Sequence, residues 1–393
     1  MKIKKVCILV RNDVERDPRV NRQIRWLSDT GDYKITVIGF GNNGVSLPGV
    51  DKTVTFGLKP YSLFEKFLSA PGLFLCNITS SLAENIYWST PANKDMYNAV
   101  LDDEYDIIHA NDWDTLPMAA KSAKKMKKTE IIYDAHEFAT LEFEESLKFR
   151  LFYKKYRQIL ETSYIKNAAT IITVSGLIAR KLAEVYGVNP TVIMNCPDYN
   201  ETKINETKSE IINLCHHGVY HSSRGIEELI KSIKYLDQEY ALHFRLICDV
   251  NIKSKLEKLA ADTAPGRIFF HQPVRPSEIV STINQYDIGV YALRPVNFNS
   301  AAALPNKFFE FIMSGLCLCI GPTPEMKQIV EKYDCGVVCK GFDASSIAES
   351  VKSLSKKTIM DCKKRSLDAA QILNARVEGQ KMLRCYKEVL GFS

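Results

Sequence analysis

No uninterrupted apolar run in the chain approaches the roughly 18–20 residues that a membrane-spanning helix needs, so no such helix is expected. The start, MKIKKVCILVRND, is charged, but its apolar segment covers only Val6–Val10 before Arg11-Asn12-Asp13, too short for the core of a signal peptide. The 11 cysteines form no C-x-x-C pair and lack the Cys/His spacing of a structural zinc site. Several lie inside apolar runs such as VCILV and LCLCIG and read as buried, reduced thiols of a cytoplasmic protein. The first strand–helix junction, RNDVERDPRVNRQIRWL, lacks G-x-G-x-x-G, and no G-x-x-x-x-G-K-[ST] occurs anywhere. Dinucleotide-oxidoreductase and P-loop functions thereby lose their main support. The charge excess is small, +6 from 52 Lys+Arg against 46 Asp+Glu, which favours anionic ligands or membrane surfaces without demanding nucleic acid.

What is present is ordinary globular material, 46% hydrophobic and 25% charged, over 393 residues. That length exceeds one typical core of roughly 100–200 residues, so two domains are expected. Short Val/Ile/Leu runs alternate with amphipathic helical patterns: VCILV (6–10), KITVIGF (34–40), YDIIHA (105–110), EIIYDA (130–135), TIITVS (170–175) and TVIMN (191–195). Continuous apolar strands between helices predict a parallel sheet covered on both faces, an α/β Rossmann-like domain over residues 1–200. The polar segment Cys196–Glu210 breaks the rhythm and reads as an interdomain linker; its two Asn-Glu-Thr triplets are not expected to be glycosylated without a signal peptide. The rhythm restarts with INLCHHG (212–218), HFRLICD (243–249), RIFFH (267–271), YDIGVYAL (286–293), LCLCIG (316–321) and GVVCK (336–340), predicting a second doubly wound domain over 201–375. A last helical pattern within 376–393 is expected to cross back to the first domain. Ligands of open α/β folds bind at the carboxyl ends of the strands, and two such domains predict a cleft there.

Candidate chemistry clusters at those strand ends. Asp17-Pro18 fits a helix cap followed by proline at the first helical position, which places Arg19 in the first turn and Arg11 at the strand end. Both arginines could meet an anion in the cleft, or simply be solvated. His136, directly after the strand EIIYDA and flanked by Asp134 and Glu137, could exchange a hydrogen bond with a substrate hydroxyl. Asp112-Trp-Asp114 has the D-x-D form of a metal-diphosphate site, yet Asp114 reads better as the cap of the helix beginning TLPMAAKSAKK. His216-His217 lacks spaced ligand partners and reads as a strand-end pair, so no metal is expected. In CHHGVYHSSRGIEELI, Gly218 sits at a strand end, and Arg224-Gly225 opens a helix where an anion would be attracted. In ALPNKFFEFIMSG, Pro305 places Asn306 and Lys307 in the first helical turn, where a lysine opposes the helix dipole unless an anion compensates. Glu310 lies three residues on, near the same face, and could accept both hydroxyls of a ribose.

These pieces resemble the GT-B-fold retaining glycosyltransferases of the large family numbered four, of the bacterial surface-polysaccharide type. RDPRVNRQIRWL, YDIIHANDWDTL, YDAHEFA, ITVSGLIARKLAEVYG, HHGVYHSSRGIEELI, YDIGVYAL and LPNKFFEFIMSGLCLCIG fall in the family's order along most of the chain. The resemblance implies two Rossmann-like domains facing a central cleft and metal-independent transfer of a sugar from a nucleotide sugar, with no cofactor. By position it implies that His136 lies near the donor sugar, Arg224 holds the leaving phosphate and Glu310 grips ribose; Lys307, from its place at the helix start, is expected to supply part of the positive charge lost at Val219. Three departures stand out. Ala302 occupies the first position of the family's paired glutamates, Val219 replaces the loop arginine, and NDVERDPR replaces the double glycine after the first strand. Neither the donor base nor the sugar follows from the resemblance.

The acceptor is expected on the first domain: a glycan or lipid-linked glycan, with Arg11, Arg19 and Asp112 as contacts and the aromatic-rich stretch 61–90 nearby. KSAKKMKK and KFRLFYKKYRQ suggest a basic face resting on anionic lipid at the inner face of the cell membrane. No nucleic-acid module is present, so nucleic acid is not an expected partner. A GT-B-fold nucleotide-sugar epimerase and a catalytically inactive partner subunit remain the alternatives.

Overall fold

The computed structural model describes residues 3–42, 44–57, 73–76, 79–207 and 210–391. Two compact units are formed, Met1–Met194 with Asn297–Asn299 and Gly379–Ser393, and Asn195–Val296 with Ser300–Glu378.

The first unit is built on a seven-stranded sheet of order β3-β2-β1-β4-β5-β6-β7, in which every pairing is parallel. The strands are β1 (Lys4–Asp13), β2 (Tyr33–Phe40), β3 (Lys52–Phe56), β4 (Ile107–Asn111), β5 (Glu130–Ala135), β6 (Thr170–Thr173) and β7 (Thr191–Val192). The apolar runs become strands because both faces are covered; Ile8, Leu9, Ile108 and Ile132 are fully buried. β3 was not foreseen, since KTVTF is a half-exposed edge strand with no apolar run. Strand order reverses between β1 and β4, the switch point at which open α/β sheets bind ligands. The helix Pro18–Ser28 begins as expected: the Asp17 carboxylate accepts from the Arg19 and Val20 backbone N–H groups and proline follows it. The helix Leu116–Met126 corrects an expectation, because its cap position is Thr115, and Asp114 instead faces Arg11 at 3.9 Å. A G-x-G-x-x-G string does occur at Gly39–Gly44, but it leads from β2 towards β3 rather than into a helix and lacks the dinucleotide-site context. Of the stretch 61–90, residues 61–72, 77 and 78 lie outside the described residues.

The second unit has a six-stranded, wholly parallel sheet of order β10-β9-β8-β11-β12-β13. Its strands are β8 (Ile212–Val219), β9 (Tyr240–Ile247), β10 (Ile268–Phe270), β11 (Ile288–Tyr291), β12 (Cys317–Ile320) and β13 (Gly336–Val338). Here the switch point lies between β8 and β11. The segment 196–210, expected as a linker, has no helix or strand in its described residues but is tied to this unit. Thr207 donates to Asp287 at 2.6 Å, Asn205 donates to the Gln285 carbonyl at 3.0 Å, and the Pro197 carbonyl accepts from the Ala375 N–H at 2.7 Å.

The last helix, Ala375–Val389, is counted with the first unit from Gly379 onward. Gly379 is needed for this packing, since a Cβ there would sit 2.6 Å from the Trp26 ring, and the Tyr386 hydroxyl lies 2.6 Å from His109 Nδ1. Among the described residues no helix is long and apolar enough to cross a membrane.

Candidate functional site

In the second unit the carboxyl end of β8 presents His216, His217 and Gly218 beside the helix Asn306–Met313. Pro305 precedes that helix, so Asn306 and Lys307 occupy its first two positions, as expected. Lys307 is nonetheless buried, 6% exposed, because its stem crosses the strand end and its Nζ reaches 3.3 Å from His216 Nε2 and 4.9 Å from the Tyr291 ring centre. The His216 Nδ1–H donates to the Val290 carbonyl at 2.8 Å, which leaves Nε2 as the acceptor for the lysine. Gly218 has φ 104°, a conformation that favours glycine, and a Cβ there would lie 3.1 Å from Lys307 Nζ, so the lysine head would have to give by a few tenths of an ångström.

Arg224 ends a short turn, Ser222–Arg224, before Gly225 (φ 65°) and the helix Ile226–Ser232. Its guanidinium donates to the Val219 carbonyl, and Gly225 is required because a Cβ would lie 2.8 Å from the Ala292 carbonyl oxygen. Neither Arg224 nor Lys307 forms an ion pair with a carboxylate among the described residues. Burial, reinforced by Arg224, holds the Lys307 ammonium well below the usual lysine range, against the opposing pull of Glu310. Glu310 Oε2 lies 3.5 Å from His217 Nε2. Burial, with Arg224 adding to it, pushes His217 down to about 3, so that imidazole is neutral. The result is a polar strand end where the Arg224 guanidinium, the Lys307 amine and the Glu310 carboxylate gather near Gly218.

The first unit gathers a different cluster at its own switch point. Asp134, fully buried at the end of β5, accepts from Arg19 Nε at 2.6 Å, from Arg19 Nη2 at 2.8 Å and from Gln23 Nε2 at 2.7 Å. Arg19 also donates to the Ile193 carbonyl at 3.0 Å and is 5% exposed. The expectation that Arg19 meets an anion in a cleft is therefore corrected: its guanidinium is spent inside the fold, and only a capping reading of the helix start survives.

His136 also has partners inside the fold. Its Nδ1 lies 3.1 Å from Asp112 Oδ2, and its Nε2 lies 3.1 Å from Asn111 Oδ1 and 3.6 Å from Asp134 Oδ2. Burial disfavours the imidazolium, but Asp112 and Asp134 outweigh it and raise the pKa to about 10. His136 is thus a charged group at neutral pH, able to donate a hydrogen bond but not to accept one. Asp112 has φ 64° directly after β4, an uncommon conformation for a non-glycine residue, and its carboxylate also accepts from the His136 N–H at 3.2 Å. Arg11 lies beside Asp114 and over the Phe40 ring at 5.6 Å. A cavity of about 330 Å³ opens here, lined among others by Asn12, Asp112, Trp113, His136 and Arg157.

Two family profiles match the chain in sequence: "Glycosyltransferase Family 4" over residues 75–200 and "Glycosyl transferases group 1" over residues 212–357. The chain belongs to the GT-B glycosyltransferases of the family-4 type. A search of curated protein sequences returned no match. Among solved structures, the sucrose-phosphate synthase of Thermosynechococcus elongatus superposes with a TM-score of 0.73 at 13% identity, covering 99% of both chains. The Anabaena protein Alr3699/HepE in complex with UDP-glucose gives 0.69 at 12% identity, covering 98% of this chain and 100% of that one. A glycosyltransferase from Rickettsia africae gives 0.67 at 14% identity, with full coverage of both. At these identities the likeness carries the GT-B fold alone.

Within this glycosyltransferase the departures from the family pattern have clear physical settings. Ala302 is fully buried, and Val219 is 53% exposed while its carbonyl holds Arg224. Residues that sequence reasoning did not assign now carry weight. His216 orients Lys307, and Gln23 and Asn111 tie Asp134 to the carbonyl of Leu9 through hydrogen bonds of 2.9 and 3.1 Å. Only the adjacency of His216 to Gly218 offered a hint; the Gln23–Asn111–Asp134 contacts span too many residues to show in one sequence.

Proposed function

We propose that this glycosyltransferase moves a sugar, with retention of anomeric configuration and without an obligatory metal, from a nucleotide sugar to a glycan or lipid-linked glycan in cell-surface polysaccharide synthesis. The observation that carries the reading is the placement of Arg224 and Lys307 near Gly218, with no carboxylate among the described residues ion-paired to either. A guanidinium and a lysine amine held this way gain most from a diphosphate, whose leaving group gathers negative charge as the glycosidic bond breaks. A single well-placed donor of this kind is worth roughly 10²–10³ in rate. Asn306 and Gly225 add helix-start N–H groups, Gly218 lets the phosphate approach the backbone, and Glu310 accepts the ribose hydroxyls. His136 contributes fixed positive charge at its strand end, and Asp112 keeps it there. Arg11, Asp112 and the cavity beside Trp113 are the proposed acceptor contacts, and the basic helices are proposed to rest on anionic lipid at the inner face of the membrane.

Ligand binding to the native state raises its unfolding midpoint, so a thermal-shift screen of UDP, GDP, CMP, ADP and their sugars tests the donor class. One nucleotide and its sugars are expected to stabilise the protein. Proton NMR of the transferred sugar is then expected to show the donor's own anomeric configuration. Epimer formed from nucleotide sugar without acceptor would reassign the protein to the epimerases, and donor binding without turnover across an acceptor panel would make it an inactive partner. No binding to anionic liposomes at low salt removes the membrane claim.

A further inference from the structure

The charge state of Lys307 follows from what surrounds it. The groups that face its Nζ are His216 and His217 from β8, Arg224 from the turn before Gly225, Tyr291 from β11 and Glu310 from its own helix. Arg224 is a permanent cation, and both imidazoles are held neutral chiefly by burial, with Arg224 adding to it. Glu310, the face of the Tyr291 ring and the His216 Nε2 acceptor favour a charge on the lysine, but among the described residues no carboxylate forms an ion pair with its Nζ, and burial outweighs them. A buried ammonium in such company is costly, and a buried lysine sheds its proton instead. His216 does not oppose that exchange. Its tautomer is set by the Nδ1–H bond to the Val290 carbonyl, so Nε2 accepts an N–H from Lys307 in either protonation state and keeps Nζ over Gly218.

We propose that donor binding takes up a proton from solvent onto Lys307, with His216 as the positioning residue that holds the amine in place before and after. The inference rests on the nucleotide-sugar reading of this site. The balance is simple: the protonated buffer gives up one H⁺, the Lys307 amine becomes an ammonium, and the diphosphate supplies the negative charge that was missing. Each phosphorus of a nucleotide-sugar diphosphate carries one ester and one anhydride bond and a single strongly acidic oxygen, with no ionisation near neutral pH, so the ligand's phosphates neither gain nor lose the proton. The empty site thereby avoids a buried charge, and the filled site gains a full ammonium opposite the leaving group.

Isothermal titration calorimetry of the full chain with UDP-glucose and with GDP-mannose at pH 8, in HEPES, tricine and Tris, reads the uptake directly. The slope of observed enthalpy against buffer ionisation enthalpy is the number of protons bound. About 0.5 to 1 proton per nucleotide is expected, with a slope near zero in Lys307→Arg and Lys307→Met. His216→Phe removes the Nε2 acceptor, so uptake is expected to extend to lower pH, a shift that a purely structural imidazole would not cause. A zero slope in the wild-type protein with nucleotide binding intact overturns the proposal and leaves the donor reading standing. An undiminished slope in Lys307→Met does the same. Absence of binding by either nucleotide sugar overturns both.

Discussion

Arg19 and Asp134 form a two-point ion pair, Nε to Oδ2 at 2.6 Å and Nη2 to Oδ1 at 2.8 Å, with the arginine 5% exposed and the carboxylate fully buried. The first-turn arginine of a helix and a carboxylate at the end of β5 thus lock the carboxyl edge of the first unit's sheet from inside. Removing one partner strands the other in a dry site. Asp134→Ala is expected to cost on the order of 3–5 kcal/mol, visible as a large fall in the urea midpoint. An unchanged midpoint would mean that the pair is dispensable.

The imidazolium of His136 makes that unit sensitive to alkali. Its folded pKa, about 10, lies above the ordinary 6.5, so the folded state holds its proton more tightly than the unfolded chain does. The stabilisation is fully present below pH 6.5 and is lost as pH rises through 10. Thermal midpoints measured from pH 6 to 10 are expected to fall, by up to a few kcal/mol equivalent from this group. The slope should be flatter in His136→Gln; parallel slopes in the two proteins would contradict the assignment.

Lys307 sets stability against function. Methionine matches its stem and brings no charge or donor into the site, so Lys307→Met is expected to raise the stability of the ligand-free protein by about 1–2 kcal/mol while weakening donor binding. Differential scanning calorimetry and a nucleotide titration on the same sample check both halves. A less stable variant would show that the lysine is satisfied in the empty site.

Gly218 carries a positive φ and faces the lysine head. Gly218→Ala is expected to cost at least about 1 kcal/mol in stability and to push Nζ aside, weakening the donor more than tenfold. A crystal structure of the variant with Lys307 unmoved would remove the steric half of this explanation.

Much of the architecture was legible because it depends on local patterns. EIIYDA is β5 residue for residue, and Asp17-Pro18 opens its helix through the predicted cap. β3 escaped because an edge strand with half-exposed side chains has no apolar run to detect. The position of Lys307 at a helix start was readable from Pro305, and so was its conflict with the dipole. The commitment of Arg19 to Asp134 was not, because 115 positions separate the partners and only the β1–β4–β5 order brings them together. The charge state of His136 was hidden for the same reason: the carboxylates that charge it, Asp112 and Asp134, come from the ends of two neighbouring strands. Local sequence identified which residues stand at strand ends; which of them are already paired is a property of the sheet.

The central claim is that Arg224 and Lys307 hold the donor diphosphate in the second unit. Calorimetric titration of the nucleotide sugar that gives the largest thermal shift, into wild-type protein and into Arg224→Ala, tests it most directly. The account predicts at least a tenfold weaker Kd in the variant, in line with losing about 1.4 kcal/mol or more of a charge-assisted contact. Equal affinity in the two proteins would contradict it.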